Sequence, residues 1–370
     1  MTVLSELSAA HPLTPYGWDS GFADSFAPHA ARGLAPGRIV RVDRGRCDLV
    51  VEDPDGGVRT VAADTALVTT GDPLNIMCTG DWAAVDLATG YVQALLPRRT
   101  AFVRSTSSKR SEGQILAANV DLAVVAVSLA VELDLGRIER FLALAWESGA
   151  EPLVVLTKAD LADGPDVLAH LLADTRAAAP GVQVLAVSAE TGEGIDVLAA
   201  VLAGGTSVLL GQSGAGKSTL ANVLAGAPLQ EVQAARDRDG KGRHTTTTRN
   251  LLALSGGGVL IDTPGLRGVG LWDAEGGVSR TFSEIEALAA RCRFHDCGHD
   301  SEPGCAVLAA VDDGELAHRR LDSYRKLLRE NAYLAARTDA RLRSEMRRDW
   351  KQKQAVGREA YARKRGGGGR

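Results

Sequence analysis

Through the middle of the chain, short apolar runs alternate with stretches whose apolar residues return every three or four positions. The runs Asp121–Ser128 (DLAVVAVS), Pro152–Leu156, Val182–Val187, Val208–Leu210 and Val259–Ile261 are almost wholly apolar. That is the pattern of parallel strands covered on both faces. Between them, Ile138, Phe141, Leu142 and Ala145 mark one side of a helix over Gly136–Ser148. Further helices are expected around Asp166–Ala178, near Ile195–Leu202 and from Thr219 to Leu224. Strands and helices alternating in this way predict a doubly wound parallel sheet with its ligand groups at the carboxyl ends of the strands.

The flanking patterns differ. Between Gly37 and Pro97, the strand-like segments Arg38–Val42, Cys47–Glu52, Val58–Ala62 and Trp82–Asp86 are separated by the turns Asp43-Arg44-Gly45, Pro54-Asp55-Gly56-Gly57 and Gly80-Asp81. Such spacing predicts a small closed barrel, of which the five-stranded oligonucleotide-binding (OB) type is one. Arg38, Arg41, Arg44 and Arg46 fit either phosphate contact or a solvated strand face. On the C-terminal side, Leu316–Met346 reads as one or two helices with Leu321, Tyr324, Leu327 and Leu328 on one face. The expected organisation is multidomain: a flexible N-terminal arm (1–34), a barrel (35–98), a polar, serine-rich linker (99–114), a central α/β domain (115–275), a helical metal-binding domain (276–340) and a basic tail (341–370).

Composition adds three constraints. The 370 residues are 45% apolar, enough for two or three packed domains. No apolar stretch approaches the roughly 18 residues of a membrane helix, and the N-terminus lacks a basic segment followed by an apolar run, so no membrane role and a cytoplasmic location are expected. The net charge of −4 is unevenly spread: residues 319–370 carry 17 Lys and Arg against 6 Asp and Glu, which suggests a polyanion as partner of the tail.

Chemistry is concentrated in four motifs. Gly211-Gln212-Ser213-Gly214-Ala215-Gly216-Lys217-Ser218, followed by Thr219, fits the G-x-x-x-x-G-K-[ST] phosphate loop between a strand and a helix. Its glycines let backbone N–H groups approach phosphate oxygens, the helix adds the positive end of its dipole, Lys217 adds a point charge and Ser218 a hydroxyl for Mg2+. Thr157-Lys158-Ala159-Asp160 looks like the [NT]-K-x-D motif of guanine-nucleotide-binding proteins, with Ser188-Ala189 as its partner loop. A carboxylate at Asp160 accepts from guanine N1–H and N2–H, whereas adenine would leave it unpaired; the Ala189 N–H can reach O6. Asp262-Thr263-Pro264-Gly265 follows the last strand, with Asp262 placed to hold Mg2+ through water and the Gly265 N–H to meet a terminal phosphate. The base-reading motif precedes the phosphate loop, the reverse of the usual order. Finally, Cys292, Cys297, His299 and Cys305 supply three thiolates and an imidazole, a closed tetrahedral shell suited to one structural Zn2+ per chain.

Together with Gln114-Ile115-Leu116-Ala117-Ala118-Asn119-Val120-Asp121 and Gly242-Arg243-His244-Thr245-Thr246-Thr247, these motifs resemble the ribosome small-subunit-dependent GTPase family RsgA over residues 35–330. The resemblance implies a circularly permuted GTPase with an OB-fold barrel that acts in maturation of the small (30S) ribosomal subunit. Its partners would be GTP or GDP and the subunit with its rRNA; a monomer is expected. It points to His244 as the residue orienting the hydrolytic water, because Leu266 stands where many GTPases carry glutamine. One of Thr245 and Thr246 would complete the Mg2+ shell. Thr157 departs from the commoner Asn, keeping a hydroxyl but no amide. The competing readings are a permuted GTPase of large-subunit assembly and an RNA-binding assembly factor that uses nucleotide only as a switch.

Overall fold

A computed structural model of the chain describes residues 11–105, 113–226, 249–262 and 274–338. Five short strands, β1 (Ala35–Asp43), β2 (Arg46–Glu52), β3 (Val58–Asp64), β4 (Trp82–Asp86) and β5 (Tyr91–Leu95), close into a barrel in the order β1-β2-β3-β5-β4. Only the β3–β5 contact is parallel. This is the OB type of barrel. Alternate residues point inward, so Ile39, Leu49, Val51, Ala83, Val85 and Val92 fill the interior.

Two segments without a clear apolar period are ordered. Where the sequence predicts a flexible arm, helix α1 (Ser20–Ala30) is capped by Asp19, whose Oδ1 accepts from Phe22 N at 3.0 Å. Trp18 and Phe22 pack on Trp82, with ring centroids 4.7 and 5.6 Å away. Arg99 lies over the Phe22 ring and pairs with Asp19, holding that carboxyl down at about 2. Where a linker is predicted, β6 (Ala101–Ser105) pairs antiparallel with β7 (Gly113–Ala118), burying Phe102 and Leu116.

The central sheet contains β8 (Leu122–Ser128), β9 (Glu151–Thr157), β10 (Gln183–Val187), β11 (Thr206–Leu210), β12 (Asn250–Ala253) and β13 (Val259–Asp262), ordered β10-β9-β8-β11-β13-β12. All neighbours are parallel except β12, which runs against β13. Helices α2 (Leu135–Ser148), α3 (Pro165–Ala178), α4 (Ile195–Leu202) and α5 (Lys217–Ala225) cover the two faces.

On the C-terminal side come α6 (Glu275–Thr281), α7 (Ser283–Ala289), α8 (Ala306–Asp312) and α9 (His318–Thr338). Helix α6 lies so close to α2 that a Cβ on Gly277 would stand 2.0 Å from the Ala143 carbonyl oxygen. Arg320, 3% exposed, pins α9 in place. It donates to Glu139 Oε1 of α2 at 2.9 Å, to the Thr281 carbonyl at 2.5 Å and to Glu284 Oε1 at 2.6 Å.

The barrel meets the amino-terminal edge of the sheet through Arg38, which corrects both expectations for this residue, phosphate contact and a solvated strand face. Arg38 is 1% exposed, lies under the Trp82 ring, and donates to Asn119 O at 3.0 Å and Thr206 Oγ1 at 3.1 Å. Burial lowers its pKa to about 10, so it stays charged at neutral pH. Asn119, at φ 54°, returns Nδ2 to Gly80 O and accepts from Arg99 N at Oδ1. Arg41 is taken up by Asp43 at 2.9 Å, and Arg44 and Arg46 remain exposed. Replacing Arg38 by Leu strands the Asn119 carbonyl, and urea denaturation followed by tryptophan fluorescence should show a loss of about 2–4 kcal/mol.

Candidate nucleotide site and metal centre

The carboxyl end of β11 turns directly into the phosphate loop. Gly211 has φ 141°, and a Cβ there would come within 2.4 Å of the Ala126 carbonyl on neighbouring β8, so no other residue fits this turn. Gly216, also left-handed at φ 79°, precedes α5 with no side-chain cap. The first N–H groups of α5 are therefore left for an anion. Lys217 Nζ donates to Gly211 O at 2.8 Å and Gln212 O at 2.6 Å, which folds its ammonium back over the loop. Asp262 ends β13, the strand beside β11. Its partial burial raises the carboxyl pKa, and the positive charge of Lys217 opposes the rise.

The base-reading residues converge on the same edge. Lys158 takes a left-handed φ of 59° just beyond β9, and its Nζ donates to Gly214 O at 3.1 Å. Thr157 Oγ1 donates to Ala215 O at 2.9 Å. The hydroxyl thus links the two loops, and the departure from Asn does not break that link. Ser188 orients the carboxylate: its Oγ donates to Asp160 Oδ1 at 2.5 Å and accepts from Thr191 N at 3.1 Å. A cavity of about 340 Å³ is lined by Thr157, Lys158, Asp160, Ala189, Gly216 and Thr219, over Val187 and Leu220. That size and mixed lining suit a flat heterocycle with one polar edge.

Of the expected site residues, Thr157, Lys158, Asp160, Ser188, Ala189, Gly211 to Thr219 and Asp262 occupy the carboxyl edge of one sheet. His244, Thr245, Thr246 and Gly265 lie outside the described residues. The sequence reading missed Thr191, which fixes Ser188, and Glu190, which lines the cavity. The signal for this turn was the run Thr191-Gly192-Glu193-Gly194, whose Gly194 at φ 72° sits against the Ala186 carbonyl.

A second centre lies between α7 and α8. The ligand atoms of Cys292, Cys297, His299 and Cys305 all fall within 4.8 Å of one another. The Cys292 and Cys305 sulfurs are 3.8 Å apart, and His299 Nδ1 is 3.7 and 3.4 Å from them. A tetrahedron with metal–sulfur bonds of about 2.3 Å has edges of about 3.8 Å, so the donor set has the dimensions of a four-coordinate shell able to hold a metal ion. Glu302 braces the loop by accepting from Gly298 N, Asp300 N and Ser301 N, which lowers its pKa to about 2. No described helix is long and apolar enough to cross a membrane.

Comparison with known proteins gives concordant matches. The model of the RsgA GTPase family matches residues 95–272. A Streptomyces avermitilis protein described as small ribosomal subunit biogenesis GTPase RsgA is 70% identical over 361 residues, 97% of this chain and 96% of its own. A protein of the same description from Streptomyces coelicolor is 68% identical over 369 residues, 99% of this chain and 100% of its own. Among solved structures, YjeQ from Thermotoga maritima is similar with a TM-score of 0.59 at 27% identity, over 80% of this chain and 98% of that one.

The cavity chemistry yields a direct test. Asp160→Ala removes the double acceptor, and competition binding should show the preference for GTP over ATP falling by about 100-fold or more, on the order of 3 kcal/mol.

Proposed function

Because this chain belongs to the RsgA GTPase family, we propose that it hydrolyses GTP during late maturation of the small (30S) ribosomal subunit. It binds the subunit and its rRNA in the GTP state and leaves on hydrolysis. The observation that carries the proposal is the Thr157–Ala215 hydrogen bond, which locks a base-reading loop to a phosphate loop 58 residues away in sequence.

In this reading Asp160, held by Ser188, accepts from the guanine edge, Ala189 N–H meets O6, and the stem of Lys158 covers the base. The N–H groups of Gly211 to Thr219 cradle the phosphates, and Gly265 N–H meets the terminal one. Lys217 exchanges its two carbonyl partners for phosphate oxygens, a move that needs only rotation of its flexible stem. The donor set fits Mg2+: the Ser218 hydroxyl and one of Thr245 and Thr246 would be hard oxygen ligands, and the Asp262 carboxylate would hold the ion through a water. An Mg2+ ion held there would supply positive charge against the phosphates as the terminal one is transferred. His244 orients the attacking water, a role suited to an imidazole near neutral pH.

The cluster Cys292, Cys297, His299 and Cys305 holds one structural Zn2+, since its four soft donors leave no open coordination position. Exposed Arg44 and Arg46 on the barrel and the basic stretch 341–370 meet rRNA phosphates. The protein works as a cytoplasmic monomer.

Elemental analysis of protein purified without chelator should find one zinc per chain; stripping it should lower the melting temperature, and a chain with no zinc overturns the assignment. GTP hydrolysis measured alone, with small subunits and with large subunits should be stimulated strongly by small subunits only. Stimulation by large subunits would move the protein to the other assembly line, and no turnover in any condition would make nucleotide a mere switch.

A further inference from the structure

Beside the nucleotide site, one buried polar group has no task. Asn250 opens β12, is 6% exposed, and its Oδ1 has no hydrogen-bond partner among the described residues. Leaving a buried acceptor unpaired is destabilising. Such a group calls for a further donor, and a water or an ion's hydration shell can supply one.

The register shows where Asn250 points. It stands directly opposite Asp262 in the antiparallel β12–β13 pair. Opposed residues project from the same face of a sheet, with Cβ atoms about 4.5–5.5 Å apart. Two residues along each strand, Leu252 and Leu260 join Leu220, Ala221 and Leu224 of α5 in one apolar cluster. Their neighbours Leu251 and Ile261 belong to the core on the opposite face. Strand alternation therefore places Asn250 and Asp262 together on the α5 face. They form the polar continuation of that cluster at the strand ends, beside the helix that begins at Lys217 and Ser218.

We propose that Asn250 is a positioning residue of the magnesium site, its Oδ1 accepting a hydrogen bond from the metal-bound water that also faces Asp262. The inference rests on the GTPase reading above and adds a residue to it. A water on Mg2+ is a strong donor with two hydrogens, and a single carboxylate at one strand end orients only one of them. A neutral amide oxygen on the adjacent strand takes the second and, unlike a lysine or arginine, does not repel the cation. It also ties the metal's hydration shell to β12, the strand entered directly from residue 249.

The test uses the full chain and a fluorescent GDP, whose release is timed first in EDTA and then across a Mg2+ titration. Binding in EDTA checks that each variant is folded. With Asn250→Leu, similar in size but without an acceptor, the Mg2+ concentration that half-maximally slows release should rise by about tenfold or more. With Asn250→Asp, which keeps the acceptor and adds negative charge, it should fall below the wild-type value. An unchanged midpoint for Asn250→Leu, or one at or above wild type for Asn250→Asp, overturns the assignment, and the second variant decides alone where the first does not bind GDP in EDTA. Failure of the wild-type chain to hold GDP more tightly with Mg2+ than in EDTA would instead remove the GTPase reading itself.

Discussion

A parallel sheet delivers its loops to one edge whatever the order in which the chain visits its strands, and the nucleotide cavity depends on that constraint. The chain passes through β8, β9 and β10 before it reaches β11, yet β8 lies between β9 and β11 in the sheet. The turns after β9 and β11 therefore end close enough for a hydroxyl to reach a carbonyl. Thr157 makes that contact, and Lys158 repeats it one residue on. Permuting the chain changes none of these adjacencies. It does change where the chain goes next: residues after Asp262 lead to α6, which is packed on α2, rather than back into the sheet.

The two ends of the sheet are consequently put to different uses. Its carboxyl edge carries the groups that meet nucleotide. Its amino edge is closed by the barrel, through a junction in which Asn119 serves three segments at once, accepting from Arg38 and Arg99 and donating to Gly80. A charged guanidinium survives burial there because it finds two oxygens and an indole face.

The sequence revealed most where chemistry restricts residue type. A glycine pressed on a carbonyl, a carboxylate for a guanine edge and four soft ligands in a short loop each admit few alternatives, and Gly211, Asp160 and the Cys292–Cys305 cluster were legible for that reason. Packing partners distant in sequence were not. The stripe Trp18, Phe22 and Phe26 has one apolar residue per helical turn, too thin to read without Trp82, and Pro28 inside the helix obscures it further. Ser-rich flanks hide β6 and β7, whose burial rests on Phe102 and Leu116. Arg38 looked like a surface charge because nothing local marks it as buried; Asn119 and Thr206 do that from the adjoining domain. The catalytic reading of His244 rests on family resemblance alone, since that segment lies outside the described residues.

Arg320 joins the C-terminal helices to α2 with a buried charge, paired to Glu139 and Glu284, in the middle of their seam. The seam around that charge is apolar, with Phe141 and Leu142 of α2 in one core with Val278, Phe282, Ile285, Leu321 and Leu327, so a guanidinium that lost its carboxylates there would be stranded among hydrocarbon. Sliding any of these helices by a turn would cost Arg320 its partners on α2, α6 and α7 at once, so the charge sets the alignment in which the Cys3His centre stands against the central sheet.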